Sequence, residues 1–227
     1  MTSPILENPI WESLASRHRS LAVREGDIAR YPAEVAPFLG VASDGVEVTA
    51  ALELLVPRGD TVLLLGPVPH QPQGWALTHL AQLAQMVCPA RVQEVDGPMI
   101  IELSEPHRAD VLALTTLVYP HYFRPRTIDL GRYFGLYQHG RLAAMIGERM
   151  GMEGHTEISA VCTHPDFNGL GYARHLLTWL SNDNLRRGHT PFLHVSQQNQ
   201  RAMCLYERNG YRTGRNIAFW SLRRIDE

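Results

Sequence analysis

The residues best suited to chemistry fall in two stretches of a 227-residue chain. The first runs Glu157-Ile158-Ser159-Ala160-Val161-Cys162-Thr163, then His164-Pro165-Asp166-Phe167-Asn168-Gly169-Leu170-Gly171-Tyr172-Ala173-Arg174. Its pattern predicts a strand, a turn, a loop holding two glycines, and a helix over 168–186. Gly169 and Gly171 let the backbone come close to a ligand. The amides of the first helical turn, with the positive end of the helix dipole behind them, suit a pyrophosphate. The same glycines also suit a plain tight turn from strand to helix. The spacing misses the dinucleotide fingerprint, because Arg174 stands where a third glycine is needed, and it lacks the Gly-Lys-Ser/Thr of a P-loop. The second stretch is Asn199-Gln200-Arg201-Ala202-Met203-Cys204-Leu205-Tyr206-Glu207-Arg208-Asn209-Gly210-Tyr211. It reads as a helix with Asn199 as its cap and Gly210 just past its end.

Taken together, these stretches resemble the GNAT acyl-CoA N-acyltransferases, most closely the FR47-like branch. The first is similar to the family's fourth strand and pyrophosphate loop, [Q/R]-x-x-G-x-[G/A], at Asn168, Gly171 and Ala173. The second is similar to its N-x-x-A-x-x-L-Y-E-x-x-G-[F/Y] signature at Asn199, Ala202, Leu205, Tyr206, Glu207, Gly210 and Tyr211. The resemblance covers roughly residues 99–227. It implies an α/β (α+β) GNAT fold, a mixed central sheet flanked by helices, whose fourth and fifth strands splay apart around a pantetheine arm. It implies acetyl-CoA as cofactor and acetyl transfer to a primary amine, on a small molecule or a peptide, by direct attack. A non-catalytic acyl-CoA-binding module is the alternative, and a nucleotide-binding domain a third.

The same resemblance implies residue roles. Val161, Cys162 and Thr163 would bond the pantetheine through their backbone. Asn168, Gly169, Leu170, Gly171, Tyr172, Ala173 and Arg174 would hold the phosphates, and Asn199 would touch the pantetheine as well as, or instead of, capping its helix. Asn168 departs from the usual Gln or Arg, which implies a weaker grip with the site retained. Tyr206 would protonate the departing thiolate, and an N–H near Val161 would meet the oxyanion. Glu157 stands where several protein-acetylating relatives place a general base; an ordinary strand-end carboxylate is the competing reading. Glu148, acting through water, is the second choice. Cys162 has no base paired with it in the sequence, so a nucleophilic role is disfavoured. His194 is either a satisfied core histidine or part of the acceptor wall. Arg124 and Arg126, in the loop that follows Tyr119, suit either an acidic acceptor or a plain surface loop.

These groups need elements to position them. Residues 134–138 and 142–149 about His139-Gly140 predict a hairpin. A helix is expected from Ser104-Glu105-Pro106 through Leu117, and strands over 99–103 and 192–195. Residues 211–213 and 217–222 read as a closing strand pair. Before these, helices are expected over 11–21, 33–39 and 48–56, with strands over 61–65 and 75–80. Asp96-Gly97-Pro98 marks the expected boundary between a small α/β N-terminal domain (1–97) without an assigned role, either a packing domain or a degenerate GNAT-like half, and the acetyltransferase domain (98–227).

The composition narrows the rest. The chain is 44% hydrophobic and 19% charged, which fits a globular protein with a real core. Its formal charge is -2, so a polyanion partner is not indicated and no nucleic-acid binding is expected. All of its cationic side chains other than histidine are Arg; there is no Lys. Cys88, Cys162 and Cys204 form no metal-type spacing and suit a reducing cytosol. The N-terminus lacks the pattern of a signal peptide, and no apolar run is long enough to span a membrane. A cytoplasmic protein without metal or membrane partner, monomeric or homodimeric, is the expectation.

Overall fold

The computed structural model describes residues 3–118 and 122–225. In chain order the elements are α1 (Pro9–Ala15), β1 (Val23–Glu25), β2 (Ile28–Arg30), β3 (Leu39–Val41), α2 (Thr49–Leu55), β4 (Thr61–Leu65), β5 (Trp75–Val87), β6 (Ile101–Leu103), α3 (Arg108–Val118), β7 (Tyr133–Gln138), β8 (Arg141–Met152), β9 (His155–Thr163), α4 (Tyr172–Arg186), β10 (Thr190–Ser196), α5 (Gln200–Arg208) and β11 (Arg212–Arg224). One large sheet runs β4-β11-β5-β10-β9-β8-β7-β6, and β1-β2-β3 form a small second sheet. Neighbours in the large sheet are antiparallel except β9 and β10, which run parallel.

Helices cover both faces of the large sheet. Phe134 and Leu136 of β7 join a core with Leu176, Leu177 and Leu180 of α4. Tyr133 and Tyr137, alternating with them, pack with Val111 and Leu114 of α3. The leucines of α4 recur at helical spacing, which is why that segment buries one stripe and leaves Arg174 and Arg186 outside. A third core gathers Leu6, Ile10 and Leu14 around α1 with Phe38, Leu65, Met150, Phe192 and Phe219.

Several expectations are corrected. Residues 33–39 form no helix: Pro32 and Pro37 bracket a turn, and Leu39 opens β3. Helix α1 ends at Ala15, six residues short of Leu21, and turns follow it. The residues before Tyr172 are a short 3-10 turn (Pro165–Phe167) and a loop, so α4 starts later than residue 168. The two C-terminal strands are one, β11, with an irregularity between Thr213 and Arg215 that mimics a turn in the sequence. Strand β5 continues past Leu80 to Val87.

The most consequential difference concerns the boundary near residue 97. β5 lies between β10 and β11 and is antiparallel to both, with Val87 opposite Phe192 on one side and Arg212 on the other. β4 pairs with the far edge of β11. The sheet therefore crosses the expected division, and the N-terminal segment is part of the framework of the second. A fragment of residues 98–227 would leave one edge of β10 and both edges of β11 unpaired and expose Phe192 and Ile217. It is expected to show no cooperative thermal transition by circular dichroism, while the whole chain does. A fragment melting as sharply as the whole chain would contradict this.

Candidate functional site

Strands β9 and β10 pair only through His155–Glu157 with Thr190–Phe192, and then part. The divergence coincides with a bulge. Ala160 has φ 49, a conformation that a residue with a Cβ rarely adopts. Gly147 of β8 faces Ser159 while Met145 faces Cys162, so Ala160 and Val161 share the single residue Ile146 between them. The extra residue shifts the alternation of β9. Ile158 packs with the α4 core, whereas Ala160 and Cys162 pack with the α3 core. The gap between the strands is part of a cleft of about 1220 Å³, walled by residues 158–163 and 194–196. Val161, Cys162 and Thr163 are thus brought to it, although the Cys162 thiol is buried and its pKa pushed up to about 12 by that burial.

At one end the cleft meets the glycine loop. Gly169 and Gly171 have φ 82 and 80, and a Cβ on either would meet no atom. Their openness leaves room for a ligand against the backbone, and Gly171 serves as the N-cap of α4. The first amides of that helix have no partner within it. Asn168, Gly169, Gly171, Tyr172, Ala173 and Arg174 line the cleft; Leu170, at the loop's tip, does not and is 58% exposed. Asn199 also lines it while its side chain accepts the Ala202 amide at 3.1 Å, so the capping role is present. Arg201 and Arg208, two turns apart on α5, face the same cleft, with Arg174 held to Asn209 at 3.0 Å. Arg201 and Arg208 carry no role in the sequence signatures; their seven-residue spacing is the signal that puts them on one helix face. Tyr206 lines the cleft from α5, its ring 5.9 Å from that of Tyr211, whose hydroxyl is 2.7 Å from Ser181 Oγ.

Neither glutamate is placed as a general base. Glu157 is fully buried beneath the cleft wall. Arg149 donates to it through Nε and Nη2 at 2.8 and 2.7 Å, and His194 donates from Nδ1 at 2.7 Å. Burial raises its pKa, but Arg149 and His194 outweigh that and hold it at about 2. So weak a base cannot take a proton from an ammonium. Glu148 is likewise buried and bound by Arg132 and Arg17; burial raises its pKa, and these cations bring it below the usual carboxylate range. His194 meets both earlier readings, lining the cleft with a side chain 2% exposed. Its Nε2 accepts from Gln85, which puts its proton on Nδ1. Arg126 pairs with Asp129 and Glu34, and neither it nor Arg124 lines the cleft. His121 and Tyr119 lie outside the described residues.

Among the described residues no group of three or more His, Cys, Asp or Glu is placed to hold a metal, and no helix is long and apolar enough to cross a membrane. Glu157 has a pH signature. Its folded pKa lies below the ordinary 4.5, so its contribution to stability is present above that value and fades as pH falls toward about 2. Glu157→Gln strands the Arg149 charge and is expected to cost about 3 kcal/mol at neutral pH. It also flattens the acid limb between those two values, as read by urea unfolding at a series of pH values.

Residues 133–220 match the family described as FR47-like protein. No match is found among curated proteins. A solved structure from Novosphingobium aromaticivorans, described as an acetyltransferase from the GNAT family, superposes with a TM-score of 0.90 at 32% identity, covering 99% of this chain and 100% of that one. A GCN5-related N-acetyltransferase from Kribbella flavida gives 0.61 at 16% identity over 96% of this chain and 93% of its own. A GCN5-related N-acetyltransferase-like protein from Streptococcus suis gives 0.58 at 13%, over 95% and 94%. These last two share the fold. With end-to-end likeness to the first, and an FR47-like match over residues 133–220, this chain belongs to the GNAT family of acetyltransferases.

Proposed function

We propose that the protein moves an acetyl group from acetyl-CoA to a primary amine, carried on a small molecule or a peptide, by direct attack with both partners bound. The observation that carries this reading is the parting of β9 and β10 at the Ala160 bulge, with the glycine loop at one end of the opening. A cleft edged by strand backbone suits an extended amide-bearing chain, and the loop at the start of a 15-residue helix suits its diphosphate. When bound, acetyl-CoA supplies an acyl group activated as a thioester.

The chain's own residues then have defined tasks. The main chain of residues 158–163 and 194–196 holds the pantetheine arm. The amides of 168–174 hold the phosphates, and Arg174, Arg201 and Arg208 add positive charge at that end. An N–H near Val161 stabilises the developing oxyanion. Tyr206 delivers a proton to the departing sulfur. Glu157 orients Arg149 and His194 and is a positioning residue, so the amine's proton leaves to water.

Acetyl-CoA is expected to raise the melting temperature of the purified protein. Tyr206→Phe is expected to lower kcat by about 100-fold or more while that thermal shift stays nearly unchanged. Binding without thiol release, over a broad amine panel, would favour the non-catalytic acyl-CoA module. Replacing Arg201 and Arg208 together by Ala is expected to raise KM for acetyl-CoA about tenfold with kcat preserved, and to reduce the salt dependence of KM.

A further inference from the structure

Beyond the bulge, away from the glycine loop, the cleft continues into a chamber that the signature residues do not build. Its walls are Phe38, Leu65, Leu83, Tyr122 and Phe219. Tyr122 and Phe219 meet edge to face at 5.9 Å, and the Arg149 guanidinium lies 4.9 Å above the Phe38 ring. Phe38, Leu65 and Leu83 come from the segment before residue 97, so that segment shapes this end of the cleft. Among the described residues, the titratable groups that line this end of the cleft are Arg149, His194 and Tyr122. Arg149 and His194 are both bound to Glu157, and the Glu157 charge is spent on them. Among the described residues that line the cleft there is no Asp or Glu.

Such a chamber favours an apolar body, and its described wall offers an ammonium no carboxylate to pair with. A protonated amine cannot attack a thioester, and no carboxylate on the described wall is placed to strip it. An acceptor that is already a free base avoids the difficulty. At ~pH 7.5 an α-amino group, with a pKa near 8, is about one-quarter free base, whereas a lysine-type amine near 10.4 is free in only about one molecule in a thousand.

We infer that the acceptor is a weakly basic amine on an apolar, ring-sized body, seated against Leu83, Tyr122 and the edge of Phe219, and that strongly basic amines are poor acceptors. This rests on the acetyl-transfer reading above. The nitrogen forms its bond to the acyl carbon as the carbon–sulfur bond breaks. The one proton that the nitrogen sheds to water balances the one that the sulfur gains.

The test compares initial rates of thiol release from acetyl-CoA by the full chain. Phenylalaninamide and phenethylamine share a ring but differ in basicity; spermidine and Nα-acetyl-lysine amide represent strong bases. At ~pH 7.5 phenylalaninamide is expected to exceed phenethylamine at least ~30-fold in kcat/KM, with the gap closing as pH rises towards ~10. Spermidine and the lysine derivative are expected to stay near background. Leu80, 46% exposed and lining the cleft, offers a variant with little risk to folding. Leu80→Glu is expected to narrow the preference at least ~5-fold, and Leu80→Gln to leave it in place. The inference is overturned if a strong base matches phenylalaninamide. It is overturned equally if the matched pair react alike at neutral pH, if Leu80→Glu leaves the ratio unchanged, or if acetyl-CoA binds and neither phenyl amine is acetylated. Absence of any acetyl-CoA thermal shift is a different result: it removes the acetyl-transfer reading itself, and this inference with it.

Discussion

A parallel strand pair that stops pairing after three residues leaves main-chain donors and acceptors that something else must satisfy. Buried backbone groups without partners are costly, so a sheet rarely opens in its middle. Here it does so between β9 and β10, and the opening is built in. The Ala160 bulge turns the end of β9, and β8 and β5 hold the outer edges of the two diverging strands. The glycine loop, the start of α4 and the face of α5 are useful because they surround that gap.

The charged residues beneath the gap serve the same end. Arg149, Glu157 and His194 sit on three adjacent strands and tie β8, β9 and β10 together where the parting begins. A buried ion pair is weak evidence for stability by itself, because desolvation offsets much of the attraction. Its value here is geometric: a two-pronged bond from Arg149 and a single bond from His194 leave the carboxylate one arrangement. The strands can then diverge above a fixed point.

Much of this was readable from local pattern. The two glycines, the leucine stripe of α4 and the Asn199 cap with Tyr206 on the same helix are short-range signals, and the structure puts them around one cleft. What was misread depended on distant partners. Glu157 resembles a strand-end base until Arg149 and His194, from neighbouring strands, are seen closing on it. The break expected between residues 213 and 217 is absent, because β5 alongside carries β11 through it. Residues 33–39 contain enough apolar side chains to suggest a helix, but the two prolines and the packing of Phe38 decide otherwise. The place of β5 had no local signal at all, because its polar Gln82 and Gln85 obscure the alternation and its partners lie more than a hundred residues away.

That placement bears on how the molecule is made. As the chain emerges from a ribosome, residues 75–87 appear long before 190–196 and 212–224, the two strands that flank them. The strand must therefore wait, either unpaired or held by a transient companion, until synthesis is nearly over. Such late closure slows assembly and leaves a sticky edge in the interim. A nascent protein of this design has reason to lean on a holding chaperone, and a premature stop before residue 212 would yield a chain without its last strand.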